Sequence, residues 1–150
     1  MPNIMNRIAE HKSCLSSLLA TGLARGRHGN PAASHKVHEL YGTSKLFSGL
    51  ASLVLSKQET SAIDHHYQKT IMNLQKLHEK TPRSFVFLLA GCLPGEVILH
   101  QKQFTLFLII CHLPENPLNA HARQVLVSGK ASSKSWFQQI RSLCLSSKTA

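Results

Sequence analysis

Ser56 to Lys80 limits what this chain can fold into more than any other stretch does. Ser56 with Glu59 three residues later is a capping box, which predicts a long helix from there to about His78. Ile63, Tyr67, Thr70, Ile71, Leu74 and Leu77 return at helical spacing as one stripe. His65, Lys69, Asn73, Lys76 and Lys80 form a second, and at about 100° per residue the two lie on roughly opposite faces. A helix of this pattern buries one side and presents three ammonium groups and an imidazole on the other. That second stripe suits a solvated face as readily as a row of phosphate contacts.

The rest of the chain also reads as helix. Ile4, Ile8, Leu15, Leu18 and Leu19 recur at three- and four-residue multiples within a first helix over residues 3–21, and Gly22 begins its exit. In the loop that follows, Gly22, Gly26 and Gly29 surround Arg25, Arg27 and His28. Such a loop can approach phosphate closely, but its spacing matches no phosphate-cradling fingerprint, and a plain turn explains it better. Pro31 suits the first position of a helix running to about Tyr41. A second short helix, from Lys45 to about Leu55, would bury Leu46, Phe47, Leu50, Leu53 and Val54.

Thr81-Pro82 is expected to end the long helix, since a residue before proline is steered from helical angles. Ser84 to Gly91 is apolar almost all round. It fits a buried helix or a buried strand, and its helical neighbours favour helix. Pro94 and Glu96 open a further helix to about Leu113, whose apolar second half is expected at the centre of the core. Leu118 to Val127 reads as a short helix closed by Gly129. Ser132 or Ser133 can cap a last one carrying Trp136, Phe137, Ile140 and Leu143 on a shared face. Trp136 suits a packing anchor better than a base-stacking platform. The expectation is an all-α fold, a single helical domain of about seven helices, in three parts. These are a helix with a glycine-rich basic loop over 1–30, the main helical region over 31–145, and a tail over 146–150.

Charge and acid content narrow the function. Seventeen Lys and Arg against seven Asp and Glu give a net charge of +10, which attracts polyanions and makes nucleic acid the first partner to consider. Asp64 is the sole aspartate, and the six glutamates are scattered, so the paired carboxylates of two-metal phosphoryl transfer are missing. No Gly-x-Ser-x-Gly elbow occurs, and Asp64 and His65 are adjacent on a helix, where they do not face each other. Ten histidines invite a metal site, but no Cys-x-x-Cys or His-x-x-x-His pair is present, and neither metal nor cofactor is expected.

Cys14, Cys92, Cys111 and Cys144 read as buried thiols of a reducing compartment. The N-terminus lacks a basic-then-apolar leader pattern. The longest apolar run, Phe104 to Cys111, is too short to span a bilayer. A soluble intracellular protein without a membrane partner is the expectation, with nucleus and cytoplasm both open.

From Tyr41 the chain reads YGTSKLFSGLASLVLSKQETSAIDHHYQKTIMNLQKLHEKTPRSFVFLLAGCLPGEVILH, then a Phe/Leu/Ile-rich run, then SSKSWFQQIRSLCL. A helix ending in LQKLH, followed by TPR, by G-x-LP-x-E, and by Ser-Trp-Phe near a last helix, resembles the region behind the polymerase core in reverse transcriptases of non-LTR (LINE-type) retrotransposons. The resemblance covers about Asn6 to Leu145 and is stronger beyond Tyr41. Each motif is soft alone, and the weight lies in their order. Ser44 stands where that family tends to carry proline, and after Leu145 SSKTA replaces a longer tail.

The resemblance implies a thumb- or connector-like piece of a larger polymerase, with no catalytic residue of its own. Its partners would be RNA or an RNA–DNA hybrid, bound without sequence preference, and the polymerase core as packing partner. The nucleic-acid-binding candidates are Arg25, Arg27, Lys69, Lys76, Lys80 and Arg83. A helical protein-interaction module, or a remnant of a decayed element without function, is the alternative.

Overall fold

The computed structural model describes residues 2–20, 30–112, 117, 120, 124 and 136–146, and every regular element among them is helical, with no strand. In order these are α1 (Pro2–Ala20), α2 (Pro31–Val37), a π-helical turn (His38–Gly42), α3 (Thr43–Phe47), a 3₁₀ turn (Leu50–Ser52), α4 (Lys57–Leu74), α5 (Arg83–Ala90), α6 (Gly95–His112) and α7 (Trp136–Ser146). The protein is all-α. Two compact units are present, Met1–Ser48 with Ser56–Ile98, and Gly49–Leu55 with Leu99–Ala150. Arg25 and Arg27, the Cys144 side chain, and most of the stretch expected as a helix over Leu118–Val127 lie outside what the structure describes.

In the first unit α1 turns Ile4 and His11 fully inward, with Ile8, Leu15 and Leu18 half-buried on the same stripe. Pro31 to Phe47 is helical throughout, so the boundary expected near Ser44 does not exist. Where proline would remove a backbone donor, Ser44 keeps its N–H, and its hydroxyl donates to the Leu40 carbonyl at 2.9 Å. The run widens into a π turn instead, with the Thr43 N–H donating to the His38 carbonyl. It stops earlier than expected, because Gly49 takes φ +73°, a left-handed value that glycine adopts without strain. Leu53 to Ser56 is therefore not helical.

The capping box of α4 is formed. The Glu59 N–H donates to the Ser56 hydroxyl at 3.3 Å, and the Ser56 N–H donates back to the Glu59 carboxylate at 2.9 Å. Ile63, Tyr67, Thr70 and Ile71 are buried, as the first stripe requires, whereas His65, Lys69, Asn73, Lys76 and Lys80 are all exposed. The helix ends at Leu74, one turn short of the expected His78, and not at the proline. The Lys76 N–H donates to the Asn73 carbonyl and the Leu77 N–H to the Met72 carbonyl, which closes a Schellman motif on a left-handed Lys76 at φ +55°. The motif recurs at the end of α5, where Cys92 donates to Phe87 and Gly91 takes the left-handed position.

Thr81-Pro82 begins α5 rather than ending α4. That helix buries Val86 and Phe87 but leaves Phe85, Leu88 and Leu89 more than half exposed, so it is not enclosed as expected. Asp64, buried on α4, ties the next segments together. It accepts from the Glu96 N–H at 3.3 Å in the first turn of α6 and from Arg83 at 2.7 Å. Gly95 allows this approach, since a Cβ there would lie 3.3 Å from the Asp64 backbone and carboxylate.

In the second unit Leu50, Leu55, Leu99 and Ile140 are buried, and the Trp136 indole N–H donates to the Ala51 carbonyl at 2.6 Å. Trp136 is a packing anchor. The apolar second half of α6 is not the core centre, since Leu108 and Ile109 are about half exposed. A helix apolar on all sides carries more apolar surface than its surroundings cover. No single helix among the described residues is long and apolar enough to cross a membrane, and α5 with α6 passes that test only as a bent pair.

Candidate functional site

Two features of the first unit meet on α4. One is a buried chain of imidazoles. Nδ1 of His11 lies 2.9 Å from Nε2 of His66, and Nε2 of His11 lies 3.0 Å from Nε2 of His38. The rings meet edge to face and come from α1, the π turn and α4. His11 and His38 are almost completely buried. Burial, reinforced by the neighbouring rings His38 and His66, pushes His11 down to about 3. Burial, with His35 and His66, pushes His38 down to about 4. His66 is also lowered, first by burial and then by Lys12.

At neutral pH these rings are therefore uncharged, and each neutral ring has one donor and one acceptor nitrogen. His11 must donate to one neighbour and accept from the other, so the chain has a direction. It stops at His38, whose Nδ1 is buried without a partner among the described residues. Gly42 makes the arrangement possible. A Cβ there would sit 2.5 Å from Cδ2 of His38 and 3.2 Å from Nε2 of His11.

Beside the rings lies a cavity of about 350 Å³, within the range of small-ligand sites. Lys12 of α1, Lys69 of α4 and Lys76 just past its end form its cationic rim, together with His66 and Asn73. Leu15, Leu19 and Leu74 supply an aliphatic floor. Thr70 also faces the cavity, but its hydroxyl is taken by the His66 carbonyl at 3.0 Å. None of the three lysine ammonium groups has a hydrogen-bonded or ion-paired partner among the described residues, whereas Arg7 and Lys36 are paired with Glu10 and Glu39.

Of the residues expected to contact nucleic acid, Lys69 and Lys76 share the cavity. Lys80 is exposed in the turn beyond it, where its N–H donates to Nδ1 of His78 at 3.1 Å. Arg83 is elsewhere, paired with Asp64 and lying over the Phe87 ring with its Cζ 5.9 Å from the centroid. Lys12 and the His11–His38–His66 chain escaped the sequence reading. The three histidines stand 27 and 28 residues apart on separate elements, so no local spacing reveals them. The available signal was His11 itself, which occupies a position on the apolar stripe of α1.

Among the described residues no group of three or more His, Cys, Asp or Glu side chains is arranged to hold a metal ion. Cys14, Cys92 and Cys111 are half-buried rather than buried. Burial raises the Cys92 thiol above its ordinary range, opposite to what an activated nucleophile needs. Comparison with protein-family models, curated proteins and solved structures finds no match to this chain.

Proposed function

We propose that this chain is a non-catalytic helical module that contacts RNA or an RNA–DNA hybrid through backbone phosphates, as its resemblance to the post-polymerase region of non-LTR retrotransposon reverse transcriptases implies. The observation that supports this most is the placement of Lys12, Lys69 and Lys76, three exposed ammonium groups from two segments around one cavity, without acidic partners among the described residues. Lys80 extends the same side. Contacts of this kind position a duplex without reading its sequence, so binding is weak, salt-sensitive and indifferent to sequence.

The test is a titration of the purified chain against a labelled RNA–DNA hybrid at 50 and 200 mM salt. Replacing Lys69, Lys76 and Lys80 together with Gln lowers affinity and flattens the logarithmic salt slope by about 3 units. An unchanged slope removes this face from the reading.

A second reading rests on a different observation. Phe85, Leu88, Leu89 and Leu93 are 49–73% exposed on α5 and just beyond it, which suits a protein partner such as a polymerase core. High affinity for a protein, insensitive to salt, would distinguish it.

A further inference from the structure

We infer that the cavity between α1 and α4 binds a small aliphatic anion, an unbranched acyl chain ending in a carboxylate. It draws on the same three lysines as the nucleic-acid reading but concerns the interior of the cavity rather than its outer face. The floor is made of leucine side chains, and the Thr70 hydroxyl proton is already donated to the His66 carbonyl, so the interior is mainly alkyl surface. Among the described residues no Phe, Tyr or Trp lines the space, and the one ring there, the His66 imidazole, is held edge to face against His11, which leaves little stacking surface for a nucleobase. A smaller apolar recess of about 20 Å³, lined by Leu18, Val37 and His38, shares Leu15, Leu19, Ser34 and Leu74 with the main cavity and offers room for a chain end. At the rim, three lysines whose ammonium groups have no acidic partner among the described residues supply the countercharge for a carboxylate.

Lys76 carries a further argument. The turn closing α4 holds it at φ +55°, where α5 uses glycine for the same purpose. A strained side chain kept at a cavity rim is the pattern of a functional position. Replacing it with glycine separates the roles, because Lys76→Gly relieves the backbone while removing the charge.

The experiment is calorimetric titration of the full chain with decanoate, octanoate, decanol and adenosine monophosphate. Decanoate binds at a stoichiometry of one. Octanoate binds about fifteenfold more weakly, because each methylene that enters the apolar space contributes about fourfold. Decanol binds at least about tenfold more weakly than decanoate, since it lacks the charge the lysines receive. Lys76→Gly raises the melting temperature and weakens decanoate, and Leu19→Gln, at a partly exposed position, weakens decanoate without loss of helicity. Decanoate that fails to saturate, equal affinity for decanol, or no dependence on chain length overturns the proposal. So does adenosine monophosphate binding more tightly than decanoate, which would assign the cavity to a nucleotide.

Discussion

Lowering the pH from 6.5 to 5.0 loads a proton onto histidines of the unfolded chain that the folded chain refuses. His11 and His38 are held at about 3 and about 4 by burial and neighbouring rings, against an ordinary value of 6.5. Their folded values are depressed, so in this window the unfolded state binds more protons and stability falls with falling pH. The contribution is complete above about pH 6.5 and is lost progressively on descent, to about pH 4 for His38 and about pH 3 for His11. Integrated from pH 6.5 to 5.0, each histidine removes about 1.6 kcal/mol, or about 3 kcal/mol together, a large share of the 5–15 kcal/mol typical of a domain.

His35 and His66, also lowered, act in the same direction. Glu39, lowered chiefly by its hydrogen bond from Lys36, contributes only below this window. The assay is urea unfolding followed by far-UV circular dichroism at half-unit pH steps. Near pH 5.5 the stability should change by about 2–2.5 kcal/mol per pH unit, approaching two protons. His38→Phe should reduce that slope by about one proton. Imidazole proton resonances provide a check in the unmodified chain, since two rings should show no titration shift between pH 7 and 5. Stability flat over this range, or every described imidazole titrating near 6.5, would refute the reasoning.

Three further perturbations probe the same architecture. Gly42→Ala forces a Cβ to 2.5 Å from the buried His38 ring, and should cost about 1–3 kcal/mol in chemical denaturation. Lys76→Gly should stabilise the chain by about 1 kcal/mol, because the left-handed backbone no longer carries a Cβ; thermal melts of the two proteins compare them directly. Gln103 is fully buried on α6 with neither amide atom partnered among the described residues, so Gln103→Leu should stabilise by about 1–2 kcal/mol on urea unfolding.

Local rules carried the secondary structure far. The Ser56–Glu59 capping box, the Ile63–Tyr67–Ile71 stripe, Pro31 at the start of α2 and the apolar face of α1 all express short-range geometry, and each appears where the sequence puts it. They fail where a backbone choice turns on more than residue type. A lysine closes α4 in a conformation usually given to glycine, and a serine carries the chain through a junction where proline would break it. Apolar content alone also overstated burial in α5 and the end of α6, since it measures what a side chain prefers and not how much surface is available to cover it.

The sequence by itself determined an all-helical protein with one strongly basic helix face, because periodicity, capping and charge are properties of neighbours along the chain. Lys69 and Lys76 could be selected on that basis. Tertiary structure alone decided that Lys12 joins them around a cavity, that Arg83 is spent on Asp64, and that His11, His38 and His66 share one line of hydrogen bonds. Those partners come from segments tens of residues apart, and their meeting depends on how α1, the π turn and α4 pack. Burial then sets their charge, lowering His11 and His38 far below the value an isolated imidazole would have.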